Sequence, residues 1–149
     1  MQQFFEFALR HWDLFAALLL ILAMMFGGGV LRRMRGFQEA DAQSAVLLIN
    51  HDNALLLDVR EEKEFRDGHL LNARHIPLGS LQKRLSELES FKEKPILVYC
   101  RSGQRSASAC GALRKQGYQH VTNLKGGIMA WQNAGLPLSR GNDGKKRKK

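Results

Sequence analysis

Residues 96–110 read ILVYCRSGQRSASAC. The apolar run Ile96 to Tyr99 enters Cys100 without any polar alternation. Such a run is the pattern of a strand buried on both faces of a parallel sheet. The loop RSGQ follows, and from Gln104 or Arg105 the spacing turns helical, with Ala109, Cys110 and Leu113 inward and Gly117 placed to end the helix. Strand, tight loop and helix put Cys100 at the carboxyl end of a strand, where α/β folds build their sites.

The flanks repeat the alternation. Asp41 precedes Ala42, Ala45, Val46 and Ile49 at helical spacing, and HDN at 51–53 ends that helix. ALLLDV at 54–59 is a second continuous apolar run, followed by a brief acidic helix, EEKEF, and a turn at Asp67 and Gly68. ARHIP at 73–77 reads as a short strand stopped by Pro77, and SLQKRLSELESF at 80–91 as a helix capped by Ser80 with Leu81, Leu85 and Leu88 on one face. HVTNL at 120–124 is a last strand and GGIMAWQNAG at 126–135 a last helix, with Leu136 and Pro137 closing the domain. Strands alternating with helices at this spacing predict one α/β domain of roughly 100 residues, a central parallel sheet flanked by helices in three layers.

At the strand end the residue types favour a reactive thiol. A helix starting just after the loop points free N–H groups and its positive dipole end at Cys100. Gly103 lets successive amides converge on one point, a nest for an anion, and Arg101 and Arg105 add positive charge. Each effect favours thiolate over thiol, so Cys100 is the candidate nucleophile. Cys110, at a helical core position among alanines, reads as packing. Neither the two cysteines nor the five scattered histidines have metal-ligand spacing, so no metal site and no cofactor is expected.

The motifs LLLDVREEKEF (55–65), DGHLLNARHIPLG (67–79), ILVYCRSGQRSASA (96–109) and VTNLKGGIMAWQNAGLP (121–137) resemble, in order, those of the rhodanese domain family. The likeness covers about 40–138, and the arrangement is similar to single-domain, membrane-anchored bacterial members. It implies a sulfurtransferase in which Cys100 takes a sulfane sulfur from thiosulfate or a persulfide donor. The sulfur is held as a persulfide against the amides of Arg101, Ser102, Gly103, Gln104 and Arg105, then passed to a thiol or protein-cysteine acceptor. The arginine side chains would attract anionic donors. Asp58 and Arg60 match the family's strand-end pair, a supporting carboxylate and arginine. His69 and His75 match hydrogen-bonded scaffold positions, and Trp131 a core position.

Related cell-cycle phosphatases also set a cysteine before an amide cradle and an arginine, which makes phosphoryl or arsenate chemistry a rival. Their loop places five residues between the two; here Cys100 and Arg105 enclose Arg101 to Gln104, one fewer. The tighter ring suits a single sulfur atom better than a tetrahedral oxyanion. A rival of another class is an interaction module recruiting a membrane partner.

The amino-terminal third carries that membrane signal. Residues 14–31, LFAALLLILAMMFGGGVL, are eighteen positions without a charge, the lower end of what a spanning helix needs. A leader at 1–11, a transmembrane helix at 12–31, a basic linker at 32–39, the domain at 40–138 and a basic disordered tail at 139–149 are expected. Arg32, Arg33 and Arg35 argue against a cleaved signal peptide. By the positive-inside rule they put the domain on the cytoplasmic side of a bacterial inner membrane. Of the net charge of +9, those arginines carry three and KKRKK at 145–149 five, leaving the rest nearly neutral. The two basic flanks therefore point to anionic lipid head groups rather than nucleic acid.

Overall fold

The structure is a computed structural model that describes residues 12–34 and 36–141, with the side chains of 26–34 outside the described part. The expected leader and the KKRKK cluster, like the side chains of Arg32, Arg33 and Arg35, therefore lie outside the described residues. The chain forms two compact units, Met1–Gly36 and Phe37–Lys149. In the first, helix α1 spans Trp12–Met34. Leu18, Leu19, Leu20, Ile21 and Leu22 are all exposed, and five successive positions sample every side of a helix, so its surface is apolar all round. Among the described residues no helix is long and apolar enough to cross a membrane; the described side chains stop at Met25, short of the expected end of the span.

The second unit is built on five parallel strands: β1 Gln38–Ala40, β2 Leu55–Asp58, β3 Arg74–His75, β4 Ile96–Tyr99 and β5 Val121–Leu124, in the order β1-β5-β4-β2-β3. The chain leaves β2 toward β3 on one side and β4 toward β5 on the other, so the two central strands border a topological switch point. Loops diverging there open a crevice at the carboxyl ends of the strands. The register pairs Asp58 with Tyr99, which sets the start of the Cys100 loop beside Val59 and Arg60.

Both faces of the sheet are covered, which explains the unalternating apolar runs. Ile96, Val98 and Leu57 pack with Leu81, Leu88, Cys110 and Leu113 on one face. Leu97, Tyr99 and Leu56 pack with Ala45, Ile128 and Trp131 on the other. The covering helices are α2 Ala42–Asp52, α4 Gln104–Lys115 and α5 Gly127–Asn133, while the short α3, Glu62–Asp67, has no buried residue. The Asp41 carboxylate accepts from the Ser44 amide at 2.8 Å and starts α2, as an N-cap does; Asn53, at φ 49°, ends it.

Two segments depart from the expected pattern. Residues 38–40, of which 38 and 39 were placed in the basic linker by sequence, form edge strand β1 against β5; a three-residue polar strand with one buried side chain carries no alternation to detect. The helix expected from Ser80 is instead two 3-10 segments, Leu78–Ser80 and Gln82–Phe91, without a side-chain cap from Ser80 and kinked at Arg84. The cause is tertiary. Tyr118 donates to the Leu85 carbonyl at 3.2 Å and Arg74 to the Glu87 carbonyl at 2.6 Å, so outside donors take acceptors that an α-helical ladder would use. At the other end Ser139, assigned to the tail, exchanges backbone hydrogen bonds with His69 at 2.9 and 2.8 Å and belongs to the domain.

Leu97 is fully buried and Leu47 is 58% exposed. Leu97→Ala is expected to cost about 2–5 kcal/mol in urea unfolding, and Leu47→Ala no more than about 0.5 kcal/mol.

Candidate active site

Cys100 follows β4 directly, and its loop turns back over the sulfur. Gly103 sits in the left-handed region at φ 97°, which a residue with a side chain rarely adopts. From there its N–H donates to Cys100 Sγ at 3.1 Å. Helix α4 then begins at Gln104, and Ser106, fully buried in its first turn, donates its hydroxyl to the same sulfur at 3.4 Å.

What turns the loop amides inward is the capture of its carbonyls from outside. The amide of Ile128 donates to the Cys100 carbonyl at 2.8 Å and that of Met129 to the Arg101 carbonyl at 3.3 Å. Both come from the start of α5. Gly127 permits the approach: at φ 59°, a Cβ there would stand 2.5 Å from the Cys100 and Arg101 carbonyl oxygens, well inside contact distance. Asn123, buried on β5, donates Nδ2 to the Gly103 carbonyl at 3.2 Å, while its Oδ1 has no partner among the described residues. Turning the amide over would set its oxygen against the Gly103 carbonyl, so this orientation is the one that holds the loop.

The electrostatic outcome is a competition. Burial raises the Cys100 pKa, but the Ser106 hydroxyl and the amides of Ser106, Gly103 and Ser102 together outweigh it and hold the thiol below its ordinary value. Hydrogen bonds to the charged form do this work, with no histidine base. At Cys110 burial, with the nearby Cys100 charge, outweighs the one backbone amide that favours the thiolate, its own, and pushes the thiol up. The two thiols are thus shifted in opposite directions.

Sequence reading overlooked Ser106. The signal was available: a serine in the first helical turn after a cysteine loop can reach back to the sulfur. It also gave Arg105 the wrong surroundings. Arg105 is bound through both terminal nitrogens to Glu64 of α3, each at 2.8 Å, and this pairing, opposed by burial, holds Glu64 down to about 2. The Arg105 side chain ties the loop to α3, with its charge met locally rather than offered to an incoming anion. Gln104 and Ser102 are exposed at the loop surface, as is Arg101, which among the described residues has no ion-pair partner.

Asp58 and Arg60 end β2 as a buried pair, with Arg60 Nη2 2.6 Å from Asp58 Oδ2. Burial alone would lower the Arg60 pKa; the Asp58 hydrogen bonds and charge raise it above its ordinary value. Arg60 also donates to the Gly68 carbonyl at 2.7 Å and lies over the Tyr99 ring, which fastens the β2–α3 turn over the sheet end. Phe65 stacks on both His69 and His75. His69 bonds the Phe65 carbonyl at 2.9 Å and His75 the Arg60 carbonyl at 2.8 Å. Trp131 is buried and donates to the Pro137 carbonyl at 3.0 Å. Among the described residues no cluster of three or more His, Cys, Asp or Glu side chains is placed to hold a metal ion.

Ser106→Ala removes one donor to the thiolate. The midpoint of the pH profile for Cys100 alkylation by iodoacetamide is expected to rise by about one pH unit, the equivalent of a charge-assisted hydrogen bond of about 1.5 kcal/mol. An unmoved midpoint would show that the hydroxyl does not stabilise the thiolate.

Comparison with known proteins bears on this geometry. The rhodanese-like domain model matches residues 41–134. A sulfurtransferase of Allochromatium vinosum is 40% identical over 101 residues, 67% of this chain and 92% of that one. The uncharacterised protein YibN of Escherichia coli is 30% identical over 142 residues, 95% of this chain and 99% of its own. The solution structure of the rhodanese-like domain of the Anabaena Alr3790 protein superposes with a TM-score of 0.63 at 28% identity, covering 74% of this chain and 85% of that one. With the cysteine, the glycine turn and the parallel sheet in place, the chain belongs to the rhodanese-like domain family.

Proposed function

We propose that this protein is a sulfurtransferase that carries sulfane sulfur as a persulfide on Cys100, drawing it from thiosulfate or a persulfide donor. The observation that carries this reading is the convergence of the Gly103 amide and the Ser106 hydroxyl on Cys100 Sγ. In the first step the Cys100 thiolate attacks the outer sulfur of thiosulfate. A new S–S bond forms, the S–S bond of thiosulfate breaks, and sulfite leaves with the electron pair. The terminal sulfur of the Cys100 persulfide carries the negative charge, and the loop amides from Arg101 to Arg105 stabilise it as they would an oxyanion. In the second step a thiolate, of a small thiol or a protein cysteine, takes the outer sulfur and releases the Cys100 thiolate. Both steps exchange one nucleophile for another and need no outside oxidant.

Two features favour sulfur over phosphate. The loop between Cys100 and Arg105 is one residue shorter than that of the phosphatases it resembles. The Arg105 guanidinium, which would have to hold a phosphoryl group, is taken up bidentately by Glu64.

The domain is proposed to be held at the cytoplasmic face of a bacterial inner membrane by residues 12–31. Arg32, Arg33, Arg35 and the basic tail would meet anionic head groups. The all-round apolar surface of α1 supports this, because a helix without a polar stripe has no favourable place in water.

Thiosulfate treatment is expected to add one sulfur to Cys100 by mass spectrometry. Cys100→Ser should lose this label and thiocyanate formation by more than a hundredfold, while Cys110→Ser keeps both; equal activity in the two variants would overturn the reading. The full chain should stay in the membrane pellet after alkaline carbonate washing, and release into the supernatant would remove the anchor from the proposal.

A further inference from the structure

Asn123 is a polar side chain within a core strand. It is 2% exposed on β5, where Val121 and Leu124 are buried as well. An amide at such a position is unfavourable unless it is hydrogen-bonded, a demand that an apolar side chain would not make. Among the described residues its one side-chain hydrogen bond runs from Nδ2 to the Gly103 carbonyl at 3.2 Å. The loop is seated close enough for this contact. A Cβ on Gly103 would stand 3.3 Å from the Leu124 carbonyl oxygen and 3.2 Å from the Gly126 nitrogen, at the end of β5.

The carbonyl so held shares a rigid trans peptide plane with the Gln104 N–H, which therefore points the opposite way, away from β5. Within α4 the same carbonyl accepts the Ala107 amide at 3.1 Å. One bond to an oxygen leaves its plane free to swing about that bond; the second, from Asn123, fixes it. Gln104 is the first residue of α4, so its N–H has no acceptor within the helix. On either side of it in the chain, the Gly103 amide and the Ser106 hydroxyl both reach Cys100 Sγ. Those two donors meet the inner sulfur. The outer sulfur of a persulfide lies about 2 Å beyond it and needs a further donor.

We propose that Asn123 is a positioning residue for the loaded site: by fixing the plane between Gly103 and Gln104 it aims the Gln104 N–H at the outer sulfur of the Cys100 persulfide. The assignment rests on the sulfur-carrier reading above. In loading, the thiolate takes the outer sulfur of thiosulfate, one S–S bond forming as another breaks, and sulfite leaves with the electron pair. The ratio of loaded to free Cys100 at set thiosulfate and sulfite therefore measures how well the site holds the persulfide anion. The Gly103 N–H belongs to the preceding plane, with the Ser102 carbonyl. Loosening the Gly103 carbonyl thus leaves the donors to the bare thiolate in place.

Two quantities test this in the full chain in detergent micelles. One is the loading constant of Cys100 between thiosulfate and sulfite, read by mass spectrometry. The other is the pH midpoint of alkylation of the unloaded thiol by iodoacetamide. Asn123→Leu keeps the branched shape and removes the donor; Asn123→Ala replaces it where the leucine chain does not fold. The variant is expected to lower the loading constant about tenfold, the weight of one charge-assisted hydrogen bond, and to leave the midpoint within about 0.3 pH units. Asn123→Asp regains a proton to donate once its carboxyl is protonated, which burial favours. At about pH 5 it should load about threefold or more better than the apolar variant. An unchanged loading constant, a midpoint displaced by as much as the loading constant, or an acidified Asn123→Asp chain no better than the apolar variant would overturn the positioning role while leaving the sulfur carrier standing. No loading of the wild-type chain would overturn both.

Discussion

The site depends on two hydrogen bonds that do not touch the sulfur. By donating to the carbonyls of Cys100 and Arg101, the first amides of α5 hold the loop's acceptors outward. The planes so fixed carry the N–H groups of Arg101 and Ser102, of which the Ser102 amide favours the Cys100 thiolate, and the Gly103 amide, one plane further on, donates to Sγ at 3.1 Å. A peptide plane is rigid, so fixing its oxygen fixes its hydrogen. Gly127 is indispensable for the same reason as Gly103: one lets α5 approach the loop backbone, the other lets the backbone reverse over the sulfur.

Around this core, charge is managed by pairing. Asp58 with Arg60 and Glu64 with Arg105 bind the β2–α3 region to the sheet end and to the loop, so two of the guanidiniums near the sulfur act as ties. The anion itself is stabilised by hydrogen bonds, which act at contact range and survive salt, rather than by free cations whose pull is screened. The same arrangement separates this loop from a phosphate-binding one, where the arginine must face the ligand.

Apolar surface is handled differently in the two units. In the domain it is consumed, with both faces of a five-stranded sheet covered by helices and 3-10 segments. In α1 it is left outward at every described position from Trp12 to Met25. Burial of large side chains is the main stabiliser of folded chains, so the exposed apolar surface of α1 is what supports the proposed anchor.

Much of this was legible in the sequence because it follows from local chemistry. The unalternating runs at 55–58 and 96–99 imposed buried parallel strands, Asp41 and Gly117 marked helix limits, and Cys100 before a glycine loop and a helix identified the nucleophile. What only the tertiary structure decided came from groups distant in sequence. Edge strand β1 exists because β5 offers it a partner. Residues 78–91 are 3-10 rather than α-helical because Tyr118 and Arg74 occupy their carbonyls. Arg105 is a tie rather than a free cation because α3 brings Glu64 to it from 41 positions away. The thiolate is stabilised because α5 and Asn123 hold carbonyls that no reading of RSGQ could have oriented. Local sequence sets which conformations a segment prefers, while the direction of each polar group is settled by whichever partner the fold brings within hydrogen-bond reach.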